Sequence, residues 1–364
     1  MGNTLLTPQI IANEALMVLE SQLTMANLVH RDYSSEYVQV GDTITVRKPA
    51  KFVAKNFTGT TSSQDVTEGS VPVVMDRFRD VTVKVTSKEM SLDIKNFSDQ
   101  IVTPAISAIA QAVDIDLLAV GVSKAAKTAT VSGTPAITDI AGVGKALDIS
   151  KAPRDNRRLI LPPSILYKYN TLDNFAKQAY AGDSQALRNA EVGRVYTCDT
   201  FMSQNCPENA SATAGTVASY KVVGTANATQ FTVSDGSAAT GTIKTGDQLI
   251  VNGYLYTVTE DLTLSSGAGT LKVDQNIPAT ISEAVAVKVI NKAHALGFHR
   301  NGLALVTRQL ELPMGATNAY IASANGLAVR VVMDYDTTTK TDTISFDIIY
   351  GIKELDTSLL VDFA

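Results

Sequence analysis

The chain has 364 residues, 45% of them hydrophobic and 18% charged, and a formal net charge of -5. That apolar content builds one large core or two to three ordinary ones without disulfide help, which excludes disorder of the whole chain. The acidic balance argues against a dedicated nucleic-acid binder, which concentrates Lys and Arg against phosphates.

The opening run MGNTLLTPQIIANEALMVLES lacks the basic region and unbroken apolar stretch of a signal peptide, and Leu6 stands where a myristoylation pattern needs Ser or Thr. No later segment offers about 18 consecutive apolar residues, so a soluble cytoplasmic chain is expected. Thr7 before Pro8 starts a helix, and Ile11, Ala15, Val18, Leu19 and Leu23 then recur at helical spacing. From Tyr37 the period becomes two: Val38, Val40, Ile44 and Val46 alternate with polar residues around Gly41-Asp42, the pattern of a hairpin.

Residues 51 to 86 are polar and rich in Thr, Ser and Gly in the middle, then alternate again in FRDVTVKVTSKEMSLD. They read as a long two-stranded excursion with a flexible tip, unable to bury much of itself: either a surface loop or an arm that needs a partner surface. The strongest helix is 98 to 121, with Val102, Ile106, Ile109, Val113 and Leu117 on one stripe; Ser98 or Thr103 starts it and Gly121 ends it. Asp114 and Asp116 are two apart, so they do not face each other as an acid-base pair would, and solvated surface charges are expected.

In 139 to 170, GVGK at 142–145 lacks the G-x-x-x-x-G-K-[ST] spacing of a phosphate loop. The stretch parses as a helix around 138–149, a basic turn with Lys151, Arg154, Arg157 and Arg158, a short buried strand RRLILP, and a helix opening at Pro163 or Ser164. The four cations suit either a solvated turn or a phosphate or acidic neighbour. Helix alternating with strand gives an α+β core.

After Pro207 the helix signals stop. Between 208 and 292, SYKVVG, QFTVS, QLIVNG, YLYTVTED, GTLKVD and AVAVKVI predict five or six short strands, a small barrel or sandwich with its own core. Longer strands then return, with VVMDYDTTTKTDTISFDIIYG as an antiparallel hairpin. The β-rich stretch is thus inserted into a parent fold, and its two ends are expected to lie close together.

Chemistry is sparse. Cys198 and Cys206 are eight apart and His294 and His299 five apart, neither spacing being that of a zinc knuckle; G-x-S-x-G, H-E-x-x-H and C-x-x-C are absent. Two reduced cysteines, no catalytic constellation, no metal and no cofactor are expected, which moves weight toward a structural role.

Several stretches carry a likeness by their order: LTPQIIANEALMVLESQL at the start, GDTITVRKPAKF before the excursion, LILPPSILYKYN, VGRVYTCDTFMSQNCP, TIKTGDQLIVNG, and HRNGLALVTRQLELPMG after the β-rich stretch. Together they resemble the major capsid (coat) proteins of tailed bacteriophages, which have the HK97-like fold, and among these the subfamily of the coat protein of phage P22, with its inserted β-barrel domain. The resemblance implies an α+β HK97-like capsid fold with an extended loop, a long spine helix and an inserted small all-β domain. It divides the chain into an N-terminal arm (1–36), an extended loop with flanking strands (37–97), the spine helix and following strands of the peripheral domain (98–138), the first part of the core and axial domain (139–207), the inserted domain (208–292) and the closing strands (293–364). The insertion is smaller than that pattern, and neither Lys51 nor Lys55 is assigned a crosslinking role.

The implied function is a non-enzymatic major capsid protein that self-assembles, as hexamers and pentamers, into the icosahedral shell around a double-stranded DNA genome. The implied partners are scaffolding, portal and decoration proteins and loosely held DNA, with no membrane, and the implied location is the virion capsid, assembled in the host bacterial cytoplasm. Glu68, Arg77 and Arg79 are the candidate residues for charge pairing between subunits. The competing readings are an encapsulin-like compartment and a β-rich receptor or carbohydrate-binding phage module, which would need aromatic platforms from Tyr220, Phe231, Tyr254 and Tyr256.

Overall fold

A computed structural model of the chain describes residues 8–31, 43–48, 54, 56, 59, 69–86, 98–134, 136–172, 193–209, 215–217, 219–234, 240–264, 268–313, 318–324 and 327–364. The chain falls into two compact units: Met1–Gln22, His30–Ala110 and Ala304–Leu355 form the first, and Leu23–Val29, Gln111–Leu303 and Asp356–Ala364 the second.

The first unit is organised by the strand Thr341–Glu354. Residues 341–347 pair antiparallel with Leu327–Asp336 on one side, and residues 341–350 with Arg77–Thr86 on the other. Leu327–Asp336 pairs in turn with Ala319–Ala324, and Leu303–Arg308 joins the same sheet. Period two puts Ile344, Phe346, Ile348 and Tyr350 on one face with Val81, Val83 and Val85, leaving Phe78, Asp80, Thr82 and Lys84 on the other. Helix α1 (Pro8–Gln22) lies on Ala319–Ala324 and Leu327–Asp336, burying Ile11, Ala15 and Leu19 of the stripe read from its sequence together with Ala12 and Leu16, while Val18 is half-buried.

An antiparallel ribbon completes this unit: Thr43–Lys48 pairs with Gly69–Val74, from Thr43 opposite Val74 to Lys48 opposite Gly69. Val73 packs at its root with Ala304, Val306 and Leu355. The two-stranded excursion expected over 51–86 therefore has Gly69–Val74 as its returning strand, while Arg77–Thr86 leaves it for the main sheet. Its apolar alternation finds a long apolar partner there, and burial favours that pairing over the polar ribbon. The hairpin expected around Gly41-Asp42 lies outside the described residues, as does most of 49–68; the partner of Thr43–Lys48 is Gly69–Val74.

A π-helical turn, Ser98–Val102, leads into α2 (Thr103–Lys124), so both expected start positions are used, one after the other. Gly121 does not end the helix. It lies inside it, where an added Cβ would collide with the Leu296 side chain, so this glycine serves close packing rather than termination. By length and composition α2 would cross a bilayer, but most of it is buried within the fold.

The second unit holds a six-stranded mixed sheet in the order Lys127–Ala129, Leu360–Phe363, Ala295–His299, Arg157–Leu161, Cys198–Met202, Arg194–Val195. Its first and fourth pairings are parallel and the others antiparallel. Helices α3 (Ile137–Ile149) and α4 (Pro163–Asn170) share a core with this sheet that includes Ile140, Val143, Leu147, Leu159, Ile165, Tyr169, Cys198 and Phe363. Pro163 opens α4 at its first position, where the missing amide does no harm. At α3 the Asp139 carboxylate accepts the Ala136 amide of the N-cap, the Ser132 amide and hydroxyl, and the Tyr169 hydroxyl. Gly297 faces α3 so closely that a Cβ there would meet Val143.

Between residues 221 and 290 nine short strands among the described residues form three small sheets. They enclose one core that includes Val222, Phe231, Val233, Leu249, Tyr256 and Leu271 and shares no residue with the core of the six-stranded sheet. Phe231 and Tyr256 meet edge to face, ring centroids 5.0 Å apart. Sequence period finds six of these segments. It misses Gly241–Ile243 and Leu262–Leu264, three-residue strands too short to show alternation, and fuses Ile281–Ala286 with Lys288–Ile290.

Candidate functional site

Cys198 and Cys206 are free, buried thiols. Burial pushes Cys198 up to about 11 and Cys206 further in the same direction, so both are protonated at neutral pH and poor nucleophiles. GVGK lies inside α3, where the backbone amides are used by the helix instead of cradling an anion. Among the described residues no three His, Cys, Asp or Glu side chains converge as metal ligands do.

The solvated reading of Asp114 and Asp116 is overturned. Both are 1% exposed. Helix α2 exposes Pro104, Ala108 and Gln111 in its first half, but from Val113 to Val122 it is covered on nearly every side, so its two acids go inside with it. The Asp114 carboxylate accepts the amides of Thr24 (2.9 Å), Met25 (3.1 Å) and Ala26 (3.2 Å). Burial raises its pKa to about 6, and the three amides only partly counter that rise.

The basic turn is not uniformly solvated either. Arg157 is buried, and its guanidinium donates to Pro153 O (2.7 Å), Ala152 O (2.7 Å), Thr197 Oγ1 (3.1 Å) and Asp148 Oδ1 (2.7 Å). The acidic neighbour is Asp148, whose carboxyl that contact holds below its ordinary pKa, with Arg154 adding a longer pairing at 3.6 Å. Arg157 thus braces the turn Tyr196-Thr197, a two-residue hairpin loop in which both residues have positive φ, 45° and 72°. Neither is the glycine or asparagine such loops favour. Beside it lies an open hollow of about 600 Å³ lined by Gly144, Lys145, Asp148, Ile149, Arg154 and Tyr196 among others. Its lining mixes two cations, one carboxylate and apolar side chains, which makes it a contact surface open to solvent.

A charged clasp joins Lys288, His294 and Asp362. Lys288 Nζ donates to Asp362 Oδ2 (2.6 Å) and Val122 O (2.7 Å), and His294 Nδ1 hydrogen-bonds Asp362 Oδ1 (2.8 Å). Burial alone would raise the Asp362 pKa; His294 and Lys288 outweigh it and hold the carboxyl below its usual range. The His294 amide donates to Pro207 O (2.9 Å), so the chain entering and leaving the β-rich stretch passes through one hydrogen bond. Sequence reading missed the clasp because its members are up to 74 positions apart.

Of the candidate contact residues, Glu68 lies outside the described residues. Arg77 and Arg79 share one face of Arg77–Thr86, opposite Tyr350 and Ile348; Arg77 is only 4% exposed and Arg79 is half-buried. The aromatic platform a sugar-binding module would need is not presented: Tyr220, Phe231 and Tyr256 are in the core and Tyr254 packs against it.

No protein-family model and no curated protein matches the sequence. Similarity emerges at the level of structure. A solved structure from Mycobacterium phage Che8 superposes with a TM-score of 0.55 at 14% identity, covering 94% of this chain and 90% of that one. The chain has the HK97-like fold. Two further structures are similar over comparable lengths: the capsid structure of the Cyanophage P-SCSP1u (11% identity, TM-score 0.49, 90% and 84% covered) and the virus-like particle from Pyrococcus furiosus (10%, 0.45, 98% and 98%). The HK97-like fold accounts for the path of the chain.

Proposed function

We propose that the chain is the major capsid protein of a tailed double-stranded DNA phage, a structural subunit that assembles with copies of itself into a closed shell. The observation that carries this reading is the match of an HK97-like fold across 94% of the chain to a structure from a phage. It is supported by an antiparallel ribbon whose returning strand buries only Val73 completely, because a ribbon that cannot cover itself gains stability from a surface supplied by another copy. The acidic net charge agrees with a lining that holds DNA without binding it tightly.

In this reading 1–36 is an arm, 37–97 an extended loop with its flanking strands, and 98–138 with the closing strands of 293–364 builds the peripheral part. Residues 139–207 belong to the axial part, and 208–292 are an inserted module of the P22 coat-protein type. Hexamers and pentamers are the capsomers, with scaffolding, portal and decoration proteins as further partners, in a virion assembled in the bacterial cytoplasm. Glu68, Arg77 and Arg79 pair charges between subunits; the burial of Arg77 gives it the added task of seating its own strand. Electron microscopy of the purified recombinant chain tests the reading: closed shells or regular hexamers and pentamers are expected, and a persistent monomer across protein concentration and salt overturns it.

A further inference from the structure

Two exposed features of the subunit are opposite in charge, one recessed and one projecting. The recess is the hollow beside the Tyr196-Thr197 turn, with Lys145 and Arg154 on its rim and Ile149 (63% exposed) and Tyr196 (49%) as its apolar share. Its carboxylate, Asp148, is taken by Arg157 at 2.7 Å, which leaves the rim positive. Tyr196 is held in place: a Cβ on Gly144 would stand 3.2 Å from Tyr196 O, and Arg157 donates to Thr197 Oγ1 next door. The projection is the hairpin tip between Leu327–Asp336 and Thr341–Glu354, where residues 334–340 are all exposed. Tyr335 (45% exposed) stands there between Asp334 and Asp336 and opposite Asp342 in the ladder. The Asp336 carboxylate folds the turn by accepting the Thr338 amide (2.8 Å) and the Thr339 hydroxyl (2.7 Å). An aromatic ring flanked by carboxylates on a turn already folded is an anchor that loses little freedom on binding.

We propose that the hairpin tip of one copy of the chain seats in this hollow on a second copy, Tyr335 against Ile149 and Tyr196, with Asp334 and Asp336 facing Lys145 and Arg154. The exposed Ile149 and Tyr196 select a polypeptide over a nucleic acid, whose phosphates reward a run of cations and gain nothing from an apolar lining. That the occupant is another copy of the chain rests on the proposed self-assembly. Unlike patches on identical chains make a heterologous contact, the kind that repeats around a ring. A hairpin tip covers little area, so this contact selects and orients the neighbouring copy, and the remaining affinity comes from other surfaces.

A charge swap in the full chain, read by light scattering and electron microscopy, tests it. Lys145→Glu and Asp334→Lys each set like charges across the contact, and each is expected to raise the concentration needed for assembly roughly tenfold. Combined in one chain, the two changes restore assembly to within about threefold of the wild type. Normal assembly of either single variant, or no rescue by the pair, overturns the proposal and leaves the capsid reading standing. A wild-type chain that never self-associates overturns both. If Lys145→Glu loses polynucleotide binding but keeps assembly, the hollow serves a nucleic acid and the proposal falls. Where a charge variant fails to fold, a photoreactive phenylalanine analogue in place of Tyr335 decides alone, in a mixture of isotope-labelled and unlabelled chains. Cross-links between copies to the peptides carrying Ile149 or Tyr196 support the proposal, and cross-links confined to other peptides overturn it.

Discussion

Two antiparallel regions of this chain share a secondary structure and differ in self-sufficiency. The stretch 221–290 surrounds its own core, with Phe231, Leu249, Tyr256 and Leu271 all buried. In the ribbon, Val73 is the only fully buried side chain among residues 70–74, and Ser70, Pro72 and Val74 are exposed. Pairing satisfies the backbone in both places; apolar density decides which region is stable on its own. A strand pattern thus reads as a stretch with its own core where apolar residues recur on one face of many strands, and as a ribbon that covers little of itself where they do not.

The comparison can be broken most directly in the module. Phe231→Ala empties the centre of that core and is expected to cost about 3–5 kcal/mol, with loss of hydrogen-exchange protection confined to 221–290. Spread of that loss to Leu159–Leu161 would show that the two cores unfold as one. The clasp comes next. Asp362→Ala strands Lys288 and the His294 ring and is expected to destabilise by about 3 kcal/mol in chemical denaturation. Because the Asp362 pKa is depressed in the fold, its contribution is present above the ordinary carboxylate range and lost as pH falls through the depressed value. Wild-type stability should therefore fall on acidification below about pH 4 more steeply than that of Asp362→Asn.

At the ribbon root, Val73→Ala removes two methyl groups from a small cluster and should cost about 1–2 kcal/mol, with the assembly yield falling more than the melting temperature. The smallest expected effect is that of Arg79→Ala. It should change subunit stability by less than about 0.5 kcal/mol and show instead as reduced salt resistance of assembled particles. Unchanged particles would remove Arg79 from the contact.

Much of the local structure was legible because the signals are local. The stripe of α1, the start of α4 at Pro163 and the strand Arg157–Leu161 all announce themselves within a few residues. The pairing of Arg77–Thr86 with Thr341–Glu354 did not, since nothing in either segment marks a partner more than 250 positions away. Asp114 is misread for a related reason: a charged residue is assigned to water by type, whereas its placement is decided by three amides of a segment far away in the chain. For Arg157 the acidic-neighbour alternative holds, and the residues that decide it, Asp148, Ala152 and Pro153, are close in sequence.

The hydrogen bond from His294 to Pro207 has a consequence for how such a chain can vary. A polypeptide that departs and returns beside one amide–carbonyl bond, with Lys288 as its further tie to Asp362 and Val122, asks of its host that a few atoms stay in place. The entropy of closing the excursion grows with the logarithm of its length, about 0.6 kcal/mol for each doubling. Lengthening the excursion is therefore cheap in closure entropy as long as the bond at its root keeps its place.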